Sequence, residues 1–316
     1  MGIRGLGGFI KWKIPNARKS LKWVPGAPSK WGVDCSCLLY RARGSNLSAV
    51  TVIASLIVRM RRANIEPIFI FDGRPPAAKA EVIDQRRVVR QAAQKEMADI
   101  KVGLEDETLS VGEKANMERR HAALQKKAPN VSNGDKDEIK RFLHAASVQF
   151  LTASGEADDV LAYLCRSGVL QAVISTDMDM LARGIPRLVI PETADASVLT
   201  EIRLADVLAG FRLTYPQFVD ACMMMGSDYS CKDWTPVDPA AAIAWAKKNV
   251  DWAVVDSTGA MQQGVALLNG DGVLWEEIVN EKQRLKWDTG RKPCEPETLL
   301  TFAVGWPADW VTTLSS

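Results

Sequence analysis

Three apolar runs in this sequence meet aspartates, two ending there and the first continuing past its acid into the apolar "CSCLLY". "WGVD" reaches Asp34, "PIFIFD" reaches Asp72, and "AVISTDMD" reaches Asp177, with Asp179 two residues further on. Short runs rich in β-branched and aromatic residues, bounded by turn signals, read as buried strands. Between them lie segments of helical character. "NLSAVTVIASLIVRMRRAN" (46–64) has Ser48 or Asn46 as its cap and a basic last turn, and "GEADDVLAYLCRSG" (155–168) opens on acids. "VQFLTA" and "RLVIP" add two further strands. Strands alternating with helices predict an α/β fold, a central mostly parallel sheet flanked by helices on both faces. Ligands bind at the carboxyl ends of strands in such sheets. The acids are therefore expected along one edge, where ligands bind.

From Lys79 to about Phe142 strand character disappears, and the chain becomes charged and helix-favouring, with one interruption at "KKAPNVSNGD". This insertion is too long for an ordinary loop. "DKDEIKRFLHAAS" reads as a helix returning to the core. After residue 200 the pattern turns helical, and seven of the ten tryptophans lie from Trp234 onward. The expected organisation is a core over 1–204 that includes the insertion at about 79–142. A helical region over 205–316 follows, with a helix-turn-helix-like segment at about 228–249.

Charge distribution adds a partner. The first 65 residues hold twelve Lys or Arg and one acid, Asp34, although the whole chain has a net charge of only +2. Such a basic segment suits a polyanion. Six scattered cysteines without a C-x-x-C pair, and two histidines, argue against a zinc site or a disulfide framework. No stretch of about 18 apolar residues offers a membrane span, and the opening lacks the apolar core of a signal peptide. A soluble, intracellular protein with no membrane partner is expected.

The acids at strand ends and helix starts are Asp34, Asp72, Glu156, Asp158, Asp177, Asp179 and Asp228, the last in "GSDYS". Converging carboxylates repel one another unless cations lie among them. Oxygen-only ligands suit magnesium or manganese. Two such ions about 3.5–4 Å apart activate water and stabilise the leaving oxygen of a phosphodiester. Each acid also has a local reading, as a helix-terminal charge, a turn residue or a cap.

Five ordered motifs, "MGIRGL", "FDGRPP", "GEADD", "STDMDML" and "GSDYS", give residues 1 to 230 a resemblance to the flap endonuclease family. That family includes the xeroderma pigmentosum group G nuclease and exonuclease 1. The resemblance implies a PIN-like, 5′–3′ exonuclease fold and a structure-specific nuclease with two Mg2+ ions, replaceable by Mn2+. Its substrate is branched DNA with a 5′ flap or 5′ end. Asp34, Asp72, Glu156 and Asp158 match one set of metal-associated acids, and Asp177, Asp179 and Asp228 the other. Position 158 is Asp where many relatives carry Glu, and Asp159 lies beside it. The insertion matches a helical arch whose base supplies Lys79 and Arg86 to the scissile phosphate, with Arg90 extending that helix face. Gly2 matches an N-terminus packed near the site, and Tyr40 an aromatic that stacks on a base.

The sequence also departs from the family. Relatives follow "GSDY" with a glycine-rich hairpin that grips duplex DNA, often with K+. Here "SCKDWTPVDPAAAIAWAKK" lacks those glycines, so K+ is not expected, and Trp234, Lys232, Lys247 and Lys248 offer another grip. The chain has no recognisable sliding-clamp motif or basic nuclear-targeting tail. A monomer acting in the nucleus or at a site of DNA replication, viral replication included, fits these features. Holliday-junction and bubble endonucleases of the same superfamily share the acids. A magnesium phosphatase would leave the insertion idle, and a non-catalytic junction scaffold would be missing some of the acids.

Overall fold

In "IEPIFIF", Ile68 and Ile70 bury themselves in one apolar layer while Phe69 and Phe71 enter another. This two-residue period is what a strand covered on both faces requires. The computed structural model describes residues 2–75, 79–106, 108–230, 234–249, 265, 302 and 308–315. Its seven strands are β1 (Arg18–Leu21), β2 (Ser29–Asp34), β3 (Ile65–Phe71), β4 (Gln149–Thr152), β5 (Ala172–Ile174), β6 (Arg187–Pro191) and β7 (Leu199–Arg203). They form one sheet in the order β1-β7-β6-β5-β2-β3-β4. Strands β6, β5, β2, β3 and β4 pair in parallel, and β7 runs antiparallel to both β6 and β1. Strand order reverses between β2 and β5, which makes that crevice the switch point of the sheet.

One face carries α2 (Cys35–Gly44), α3 (Ala49–Arg62) and α6 (Asn133–Ala145). The other carries α1 (Leu6–Lys13), α7 (Ala157–Arg166), the short α8 (Asp179–Ala182), α9 (Leu204–Phe211), α10 (Tyr215–Met225) and α11 (Pro239–Ala246). A helix over Ala308–Ser315 packs against α3. Ser48 caps α3, its hydroxyl accepting from the Thr51 amide at 3.3 Å. Asn46 lies outside the helix with φ 55°.

The inserted segment is two packed helices, α4 (Ala80–Leu104) and α5 (Val111–Lys127). The sequence reading allowed one interruption here, and the chain has two. The additional break falls before Ser110, which starts α5 with a reciprocal capping box to Glu113. After Asp34 the chain does not extend as strand: it turns at once into α2, because the Asp34 carboxylate accepts from the Cys37 amide at 3.2 Å.

The basic N-terminal fifth is less free than its composition suggests. Arg18 pairs with Glu192, Lys19 with Asp206, Lys30 with Glu66, Arg43 with Asp135 and Arg62 with Asp309. Arg59 and Arg61 donate to backbone carbonyls, Arg61 to Ala146 and Leu314 at 2.8 Å each. Among the described residues, no helix is long and apolar enough to cross a membrane.

Candidate active site

The carboxyl ends of β2, β3 and β5 bring Asp34, Asp72 and Asp177 to the switch point, and the start of α7 brings Glu156 and Asp158 beside them. Asp179 opens α8, and Asp228 follows α10. Several acids also hold the local backbone. Asp34 caps α2 and accepts from Ser175 Oγ at 2.8 Å. Asp72 accepts from the Ala157 amide at the start of α7 at 3.0 Å, and from Ser36 Oγ at 2.5 Å. Asp177 Oδ1 accepts from the Asp179 amide at 3.0 Å. These three carboxylates thus each have a local partner in the backbone or a serine hydroxyl.

The charges divide the site into two halves. Glu156 is surrounded by donors: Lys79 Nζ at 2.8 and 2.9 Å, Tyr229 Oη at 2.5 Å and Arg183 Nη2 at 3.2 Å. Burial raises the Glu156 carboxyl, but Lys79, Tyr229 and Arg183 outweigh it and leave it below its ordinary range. Arg86 Nη2 spans both oxygens of Asp228, at 2.7 and 2.8 Å. Lys79 also lies 4.0 Å from Asp228 and over the Tyr229 ring, 4.5 Å from its centroid.

In the other half, Asp34, Asp158, Asp177 and Asp179 make no ion pair with Lys or Arg among the described residues, although the charges of Arg183 and Lys79 partly offset the crowding at Asp158 and Asp179. Asp179 is 1% exposed, and neither of its oxygens has a hydrogen-bond partner among the described residues. Burial, then the neighbouring Asp177 charge, pushes its carboxyl up to about 8. Burial and Asp72 push Asp34 up to about 7. Asp158 is raised well above its ordinary value by burial and Asp177.

An orphaned buried carboxylate among like charges is costly unless a cation neutralises it. The all-oxygen donor set fits a hard divalent ion. As placed, no group of three acid, histidine or cysteine side chains among the described residues stands at the spacing that grips one ion. The fit rests on the donor chemistry and the unbalanced charge.

Gly2 lies against this half. Its φ is +90°, and a Cβ there would stand 1.9 Å from Asp177 Oδ1 and 2.8 Å from Asp179 Oδ1. Gly73, in the turn after Asp72, is equally constrained, since a Cβ would meet the Ala153 carbonyl at 1.8 Å. Tyr40 is half-buried on α2, with the Arg90 guanidinium 6.0 Å from its ring centroid. Arg90 therefore sits further along α4 than the pair that reaches the acids.

Beyond Asp228 the chain returns in α11, which packs on α10 and is capped by Asp238. Trp234 is not a free surface aromatic: its indole N–H donates to the Met224 carbonyl at 3.1 Å and its ring packs on the core. Lys247 and Lys248 are exposed just after α11, and Lys232 lies outside the described residues.

Two residues escaped the sequence reading. Arg183, 1% exposed, bonds to Asp159, Glu156 and Tyr229 together. Tyr229 was passed over as the neighbour of Asp228. Asp159 pairs directly with Arg183, whereas Asp158 makes no ion pair with it but lies in the fields of Asp177, Arg183 and Asp34.

The XPG N-terminal domain family matches residues 1–93, and the XPG I-region matches residues 147–228. All seven acids fall within these spans. Flap endonuclease 1 of Scheffersomyces stipitis is 30% identical over 267 residues, covering 79% of this chain and 67% of that protein. Flap endonuclease 1 of Zea mays is 30% identical over 248 residues, covering 72% of this chain and 62% of that protein. The chain thus spans about two thirds of the length of the curated relatives it matches. Among solved structures, flap endonuclease-1 from Methanococcus jannaschii superposes with a TM-score of 0.64 at 19% identity, covering 94% of this chain and 95% of that one. Human GEN1 in complex with Holliday junction DNA gives 0.58 at 13% identity, covering 99% and 77%. These last two likenesses are likenesses of fold.

Proposed function

Because the chain belongs to the XPG family of nucleases, which includes the flap endonucleases, we propose that it is a magnesium-dependent nuclease that cuts DNA where a 5′ single strand leaves a duplex. The observation that carries this reading is the seven-acid cluster at the sheet switch point, with Lys79 and Arg86 from the base of a two-helix insertion reaching into it. Asp34, Asp72, Glu156 and Asp158 would hold one ion, and Asp177, Asp179 and Asp228 the other. When bound, the ions supply Lewis acidity that makes water nucleophilic and stabilises the leaving oxygen.

The chain's own groups do the rest. Lys79 and Arg86, which pair with Glu156 and Asp228, are the cations placed to meet the scissile phosphate and stabilise the charge that develops there. Tyr40 offers its ring to an unstacked base, and Arg90 lies beside that ring for the flanking phosphate. The helical region from about residue 205, with Lys232, Lys247 and Lys248, is proposed to meet the duplex. Recognition is by branch shape and strand bendability, because phosphate contacts carry no base identity.

Cleavage of a matched panel of 5′ flap, gapped flap, nicked duplex, blunt duplex, bubble and four-way junction tests the reading. Magnesium-dependent incision near the 5′ branch point is expected to exceed incision of the bubble and the four-way junction. Preference for the four-way junction would instead make it a resolvase, and hydrolysis of small phosphate esters alone would sink the nuclease reading.

Gly2→Ala is expected to slow flap cleavage about 100-fold, the scale of an approximately 1 Å displacement of reacting groups. The new methyl must push Asp177 aside. Single-turnover rates check this, and an unchanged rate would show that the acids tolerate displacement. Potassium is expected to improve duplex binding no more than sodium at equal ionic strength, because Pro236, Asp238 and Pro239 stand where close amide contact to phosphate favours glycine. A titration in both salts measures it, and a potassium-specific gain would restore the missing grip.

A further inference from the structure

Arg183 is the most deeply buried cation of the site, and its guanidinium joins three separate parts of the chain. From the end of α8, Nη1 donates to Asp159 on α7, while Nη2 donates to Tyr229, beside Asp228, and to Glu156 Oε2 at 3.2 Å. The Tyr229 hydroxyl in turn donates to the same Glu156 oxygen at 2.5 Å. The guanidinium also lies 5.4 Å from the Tyr229 ring centroid. The backbone closes the same loop, since the Arg183 amide donates to the Asp179 carbonyl at 2.8 Å. Arg183 is thus tied to Glu156, Asp179 and the Asp228 segment at once.

This geometry needs arginine. A planar fork serves two nitrogens' worth of acceptors in fixed directions, whereas a lysine ammonium is a single point donor. Asp159 supplies the compensating charge that a buried guanidinium requires. It also fixes the fork by Nη1 and leaves Nη2 aimed at Glu156 and Tyr229.

We propose that Arg183, clamped by Asp159, is a positioning residue that orients the Glu156 carboxylate and the Tyr229 hydroxyl for the divalent-metal site. The proposal rests on the nuclease reading above. Partners that orient metal ligands typically account for about 10–100-fold in metal affinity or activity. A pair that served packing alone would be replaceable by apolar residues of similar volume.

The test compares Arg183→Lys, Asp159→Asn and the double variant Asp159→Leu with Arg183→Met against the wild type. Three quantities are read: melting temperature, calcium binding by calorimetry, and single-turnover flap cleavage at saturating DNA over a magnesium series. All variants that melt cooperatively are expected to bind calcium about 10–100-fold more weakly and to cleave slower by a similar factor. Their DNA affinity should stay within about twofold. The double variant should recover melting temperature without recovering calcium affinity.

Wild-type calcium affinity and rate in the double variant, or in Arg183→Lys should the double variant not fold, would overturn the proposal. A wild-type protein that fails to cut any branched DNA would overturn the nuclease reading instead, and calcium calorimetry would still report whether Arg183 orders the acids.

Discussion

Asp179→Asn is expected to slow DNA cleavage by roughly 10³-fold or more while raising the melting temperature of the metal-free protein. The rate effect follows from removing a carboxylate proposed to hold an ion that supplies several kcal/mol of charge stabilisation, each ~1.4 kcal/mol being tenfold. The stability effect has the opposite sign. Burial and Asp177 raise the Asp179 carboxyl from 3.8 to about 8, so the folded state binds this proton more tightly than the unfolded chain does. The stability this proton confers is fully present below pH ~4 and is lost as pH rises towards about 8. Metal-free wild type should therefore melt progressively lower across that range, and the neutral asparagine should flatten the dependence. Magnesium should restore the wild type at high pH and the variant much less. A thermal-melt series over pH, with and without magnesium, measures both effects. Robust cleavage by the variant, or identical pH profiles, would remove Asp179 from the metal site.

Lys79→Ala is expected to lower the single-turnover rate about 10²–10³-fold, the scale of losing one preorganised donor to developing charge, with flap affinity within about threefold. Lys79 is 7% exposed, sits over the Tyr229 ring and binds both oxygens of Glu156. Burial disfavours its charge, but Tyr229, Glu156 and Asp158 more than compensate and hold the ammonium protonated well above its ordinary range. It therefore works as a fixed cation and not as a proton carrier, and the residual rate should show no new dependence on pH near neutrality. Arg86→Ala should behave alike but more mildly, since Arg86 is more exposed than Lys79. Equal losses of affinity and rate would make both residues ordinary phosphate anchors.

The central strands were legible because their short apolar runs are rich in β-branched and aromatic residues and meet acids, a pattern that suits a doubly covered sheet. The flanking strands were not. β1 is "RKSL", polar with two exposed positions, and β7 is "LTEIR", which gives no apolar run; β7 is set by pairing with β6, and β1 by pairing with β7. α1 carries Gly7 and Gly8 near its start, which mask a helix held by the burial of Leu6 and Ile10. The acids were legible by type and order. The pairing of Arg183 with Asp159 was not, because 24 residues separate them and nothing in either neighbourhood announces the partner. The basic N-terminal segment misled in the other direction: counting charges shows supply, whereas five of its twelve cations are engaged by acids further along the chain.

The strand order also sets a timetable for synthesis. β2 carries Asp34, yet its neighbour β5 begins at Ala172, and β1 finds its partner only with Leu199–Arg203. Contacts this distant in sequence close slowly, because chain entropy must be overcome before they form. A nascent chain can therefore pair β2 with β3, and so bring Asp34 beside Asp72, early, but the crevice between β2 and β5 cannot form until Ala172–Ile174 has emerged. Asp228, the last acid, arrives when 228 of 316 residues have been made. A ribosome-bound fragment consequently has Asp34 and Asp72 but no assembled pocket, and hydrolytic competence appears late in synthesis, together with the completed core.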